Sequence, residues 1–183
     1  MPLPEGYIVA LTQLGRAFQV YQARTGDIAV LVGGAATAIY TAGMFPSGDF
    51  DVVVASDAEF DAVMLEHGFV KERRAGRLHV GFHHPDHPDY GFQQVTGPLF
   101  DGRSDRSRLI RFVVTMEADS AVTLPAIEDL IADRLGQHAV ASKTDDSRLR
   151  QARELFKLAE TLDKHYLLRR ICEEDGDPAL LGL

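Results

Sequence analysis

The sequence predicts an α+β fold: a mixed β-sheet flanked by helices, followed by a C-terminal helical segment. Three observations carry this. Between residues 27 and 55, two short apolar runs, "DIAVLV" and "FDVVVA", read as strands on either side of a short helical stretch, "GAATAIYTAG". Residues 69–115 then hold "FVKERR", "RLHVGF", "YGFQQV" and "LIRFVVT", short runs rich in β-branched or aromatic residues and separated by Gly, Pro and Asp. Beyond Pro125 only helical periodicity remains.

Taken in order, "YIVALTQLGRAFQVYQA" opens the chain with Ile8, Leu11, Leu14, Phe18 and Tyr21 at the three-to-four spacing of an amphipathic helix. The helix after the first strand is stopped by Gly43. "FDVVVA" has the continuous apolar character of a sheet interior. Ser56 or Asp57 caps the helix "DAEFDAVMLEHG", which ends at Gly68. In "HVGFHHPDHPDY" the two prolines suggest a loop. "PAIEDLIADRLGQHAV" starts with Pro in its first turn and sets Ile127, Leu130, Ile131 and Leu135 on one face. "DSRLRQARELFKLAETL" and "DKHYLLRRICEE" continue as helices. The expected organisation is an α/β core over residues 1–120 with a helical segment, residues 121–183, packed on it. There is no internal repeat.

Composition sets limits on function. The chain has 183 residues, 45% hydrophobic and 25% charged, as in a globular protein able to bury a sizeable core. No apolar run is long enough for a membrane span, and the N-terminus lacks a secretory pattern. The single cysteine, Cys172, cannot form an internal disulfide, so a reducing, cytoplasmic setting is expected. Net charge is −8, which argues against general DNA coating. The charge is uneven, however. Residues 1–67 carry two arginines against eight acids, whereas residues 68–111 carry eight basic residues (Lys71, Arg73, Arg74, Arg77, Arg103, Arg106, Arg108 and Arg111) against five acids. Such an excess suits either a polyphosphate or a solvated face.

The chemistry concentrates in "VLVGGAATAIYTAGMFPSGDFDVVV". Asp is a poor strand former, yet Asp49 and Asp51 open a strand. Two residues apart on a strand, they share a face, and two carboxylates side by side repel. Either this is an acidic turn or the pair holds something positive. Mg²⁺ suits the second reading, because it favours one or two carboxylates plus substrate phosphates. Gly33 and Gly34, following a strand and opening a helix, let backbone N–H groups approach an anion closely.

Strand, Gly-Gly, short helix and Asp-x-Asp strand, with fourteen residues between Gly34 and Asp49, resemble the nucleotidyltransferase superfamily, whose fold DNA polymerase beta shares. The tail "LPAIEDLIADRLGQH…SKTDDSRLRQARELF" resembles bacterial proteins near the abortive-infection nucleotidyltransferase toxins. The resemblance implies a nucleoside triphosphate substrate and Mg²⁺, one or two ions, at Asp49 and Asp51. Gly33, Gly34, Ser47 and Lys143 would hold the nucleotide, and the acceptor would be RNA, a protein or a small molecule such as an aminoglycoside. The family supplies a third carboxylate from a later strand; the position that aligns with it here is Gln93, a neutral amide that cannot take a proton. Asp86, Asp89 or Glu117 could substitute. The alternative is a nucleotide- or partner-binding module, such as a toxin–antitoxin component. Two features stay open. His79, His83, His84 and His87 with Asp86 and Asp89 form either a transition-metal site or a polar rim. In "SKTDD", Lys143 holds phosphate, or Thr144 or Asp145 caps the following helix.

Overall fold

A computed structural model describes residues 3–72, 81–116, 120–142 and 144–183. Six helices and seven strands are seen among them: α1 (Glu5–Thr25), β1 (Val30–Val32), α2 (Gly33–Tyr40), β2 (Asp49–Val53), α3 (Asp57–Glu66), β3 (Val70–Lys71), β4 (Gly81–His84), β5 (His87–Val95), β6 (Ile110–Thr115), β7 (Ser120–Leu124), α4 (Ile127–Val140), α5 (Ser147–Leu158) and α6 (Lys164–Glu173). The fold is α+β, as the sequence predicts. Among these helices, none is long and apolar enough to cross a membrane.

The main sheet has the order β1-β2-β5-β4-β3 and is mixed: β2 runs parallel to β5, and the other neighbours are antiparallel. One face is a floor of stacked aromatics. Phe50, Phe92 and Phe82 occupy one row across β2, β5 and β4, all fully buried. The Phe50 and Phe92 rings stack at 4.9 Å, with Tyr7 of α1 against Phe50 at 4.7 Å. Burying a Phe contributes about 1.5–3 kcal/mol, so this row fixes the sheet register strongly. The opposite face carries Asp49 and Asp51. Alternation of side chains along β2 therefore separates core from site within one strand.

Two expectations change. "SAVTL" forms β7, which pairs with β6 in a separate two-stranded sheet and packs under α1. Contact there is close: a Cβ on Gly15 would lie 2.2 Å from Ser120 Oγ. The prolines of "HHPDHPDY" do not make a long loop. His84 and His87 flank a tight turn, and Pro88 lies within β5. The core continues into the C-terminal helices through Leu130, Ile131, Leu135, Leu155, Leu167 and Ile171.

Candidate functional site

β1 ends at Val32, and the chain turns into α2 at Gly33, whose φ is +67°. That conformation favours glycine. Space demands it too, since a Cβ on Gly33 would stand 2.7 Å from Asp51 Oδ2. α2 has no side-chain hydrogen bond at its N-cap, Val32, so a carboxylate or phosphate is favoured at its first turn. Gly34 is next to Ser47: a Cβ there would lie 2.9 Å from Ser47 Oγ, and the Ser47 hydroxyl donates to the Asp49 carbonyl at 2.8 Å. Ser47 thereby shapes the entry of β2 close beside the start of α2.

Asp49 is exposed and Asp51 half-buried. Both project from the open face, but they lean towards opposite neighbours. Asp51 leans towards Gly33, on the β1 side. Asp49 leans over Gly91 on β5, where a Cβ would come within 2.4 Å of its Oδ1. Gln93 lies directly opposite Asp51 on β5, so the amide shares their face. Among the described residues no three His, Cys, Asp or Glu side chains gather closely enough to hold a metal ion. This includes His83, His84, His87, Asp86 and Asp89; His79 and Glu117 lie outside the described residues. His84 instead packs edge-on against Phe69 at 5.0 Å, on the buried face. A cation at the sheet would draw on Asp49 and Asp51, a pair of hard anionic oxygen donors that suits Mg²⁺ completed by phosphate oxygens.

A cleft of about 280 Å³ opens beside Asp51, with Gly33, Gly34, Phe100, Arg134 and Arg148 among its walls. Phe100 and Asp101 form one wall with φ of +46° and +54°, left-handed conformations that non-glycine residues rarely adopt. The Arg170 guanidinium lies 5.7 Å from the centre of the Phe100 ring. Arg134 is buried and bonded to Asp133, which also faces the cleft. Arg148 is half-buried and donates to Gln151 at 3.4 Å, which leaves guanidinium donors for an anion.

These two arginines add to the basic candidates that the sequence offers, several of which are engaged elsewhere. Lys71, though exposed at the sheet edge, shares the face of Phe82 and pairs with Asp61 of α3. Arg103 donates to the Glu173 carbonyl, and Arg108 pairs with Asp163 at 2.6 Å and stacks over Tyr166 at 4.2 Å. Arg106 borders a separate groove with Asp57, and Arg111 lines another depression near α1. Arg103 and Arg108 are thus used to dock their own loop onto α6. Lys143, Arg73, Arg74 and Arg77 lie outside the described residues. Arg134 had a sequence signal: it falls three residues after Ile131 on the buried face of α4, where an arginine needs a reason.

No protein-family model matches the sequence, and no curated protein does. Among solved structures, the chain is similar to an antigenic nucleotidyltransferase-like protein from Paracoccidioides brasiliensis, with a TM-score of 0.62, 13% identity, and 94% of this chain and 88% of that one covered. It is also similar to the antibiotic-resistance factor ANT(2'')-Ia, with a TM-score of 0.55, 10% identity and 90% of each chain covered. At these identities the likeness is one of fold: the chain carries the α+β architecture of nucleotidyltransferase-like proteins.

Proposed function

We propose that this protein binds a nucleoside triphosphate with Mg²⁺ and transfers its nucleotidyl group to an acceptor. The observation that carries this is the pairing of Asp49 and Asp51 with glycines that clear their space, next to the uncapped start of α2. Asp49 and Asp51 hold the cation, and Gly33 and Gly34 present backbone N–H groups to the β- and γ-phosphates. Ser47 shapes that turn, Arg148 adds positive charge, and Lys143 is a further candidate for phosphate contact. When bound, Mg²⁺ supplies charge neutralisation at the phosphates. The acceptor is RNA, a protein or a small molecule such as an aminoglycoside, and the setting is cytoplasmic.

A second reading has its own observation. Gln93, which aligns with the third-carboxylate position, is a neutral amide opposite Asp51 on β5, and this favours a nucleotide- or partner-binding module such as a toxin–antitoxin component. Incubation with each α-labelled nucleoside triphosphate and Mg²⁺, alone and with total RNA or an aminoglycoside, separates the two. Transfer of label supports the transferase. Mg²⁺-dependent binding without transfer supports the module, and neither result overturns both.

A further inference from the structure

The open face of the sheet carries a basic side chain on the far side of the aspartates. Asp49 faces Gly91 on β5, and Gly91 in turn faces His83 on β4, so the three form one row across three strands. The adjacent row is Phe50, Phe92 and Phe82, buried on the opposite side. His83 therefore projects on the same side as Asp49, and it is half-buried there. Gly91 between them has no side chain, and Asp49 Oδ1 lies 2.4 Å from where its Cβ would be. Neighbouring strands are about 4.8 Å apart, so the carboxylate has already crossed most of one spacing towards His83.

The next row explains why this matters. Asp51 faces Gln93, and Gln93 faces Gly81, so the row that starts at Asp51 continues with an amide and a glycine and holds no base. A hydroxyl attacking a phosphorus held at Asp49 and Asp51 must lose its proton to something. An imidazole titrates near neutrality, where a general base is most effective.

We propose that His83 is the general base of the transferase described above, receiving the proton of an acceptor hydroxyl that lies over Gly91. The inference rests on that reading. As the acceptor oxygen forms its bond to the α-phosphorus, its proton passes to an imidazole nitrogen of His83. The bond from the α-phosphorus to the bridging oxygen breaks, and pyrophosphate departs with the electron pair. His83 then returns its proton to water. Among the described residues, the titratable groups on this face are Asp49 across Gly91, Asp51 two residues further along β2, Asp89 along β5, and Glu72 beyond β3, whose Oε2 lies 3.6 Å from where a Gly81 Cβ would stand; His87, past the register shift, packs on His84 at 5.0 Å. Lys71 is on the other face with Asp61.

The test uses the full chain with Mg²⁺, an α-labelled nucleoside triphosphate, and total RNA or an aminoglycoside as acceptor. His83→Gln should slow single-turnover transfer by ~10²–10⁴-fold. Calorimetric affinity for Mg²⁺–nucleotide should stay within about twofold, as it would not if the change merely disturbed the fold. The rise of the wild-type rate through neutral pH should flatten in the variant, and added imidazole should restore part of the rate. Glu72→Gln should keep the wild-type pH profile. A wild-type enzyme that transfers label while His83→Gln does so equally well overturns the assignment alone. So does loss of the profile in Glu72→Gln. A wild-type protein that transfers nothing overturns the assignment together with the transferase reading.

Discussion

Asp129 and the Asp49–Asp51 pair are carboxylates in the same small protein, and the fold treats them in opposite ways. Asp129 on α4 is fully buried and saturated. Its oxygens accept from the Tyr166 hydroxyl at 2.9 and 3.0 Å, from Ser104 at 2.9 Å and from the Arg170 guanidinium at 2.6 Å. Burial alone would lower the Arg170 pKa, but hydrogen bonds to Glu173, Asp129 and Glu174 hold it above its ordinary value. This network fastens the 99–108 loop to α4 and α6. Asp49 and Asp51 sit on a sheet face beside a cleft, and glycines make room for their oxygens. An acid that holds the fold is thereby distinguished from one kept accessible. The first is dry and fully bonded; the second is given space.

The strongest way to break that distinction is at Arg170. Arg170→Met leaves Asp129 buried beside an apolar side chain, and breaking such a pair costs about 3–5 kcal/mol. In a domain of this size the melting temperature should fall by roughly 10 °C, read by calorimetry. Arg170→Met combined with Asp129→Leu should recover only part of the loss, because the buried Asp129 charge is gone while Glu173 and Glu174 still lose their guanidinium partner. If the single variant melts like wild type, the network is not what anchors the loop.

Gly33→Ala comes next. The residue is at φ +67°, and the new Cβ would meet Asp51 Oδ2, so about 1–2 kcal/mol of stability should be lost together with Mg²⁺–nucleotide affinity. Stability lost with affinity intact would mean that Asp51 does not need the space that Gly33 clears.

Smaller effects follow from pH. Desolvation, with His84 nearby, lowers the His87 pKa from its ordinary 6.5, and desolvation lowers that of His67. A depressed folded pKa means that the unfolded chain binds more protons, so stability is full above 6.5 and declines as pH falls through the folded values. Replacing both with Gln should flatten the melting temperature below pH 6.5. Asp163 is lowered by the Tyr166 N–H and by Arg108, so its contribution is lost only as pH falls below 3.8.

Much of this contrast was legible in the sequence, for reasons that are local. Gly33-Gly34, Asp49 and Asp51 lie within twenty residues, and strand periodicity sets their faces; alignment with the third-acid position led to Gln93, which does face Asp51. The partners of Arg103 and Arg108 were not legible, because Glu173 and Asp163 lie 70 and 55 residues away. Nor were Arg134 and Arg148 recognised as cleft residues, since a helix pattern gives a face but not what the face meets. β7 was missed because "SAVTL" carries two small polar residues that hide a largely buried strand.

The smallest expected change in stability is at the aspartates themselves, and it tests the central claim most directly. Asp49→Asn and Asp51→Asn each remove a charged oxygen ligand, and for Asp49→Asn the relief of a like-charged pair should leave the metal-free melting temperature unchanged or slightly higher. Calorimetric titration with a nucleoside triphosphate, with and without Mg²⁺, is the deciding measurement. Wild type should bind in a Mg²⁺-dependent manner, and both variants should lose that binding. Wild-type affinity retained in either variant, or binding indifferent to Mg²⁺, would contradict it.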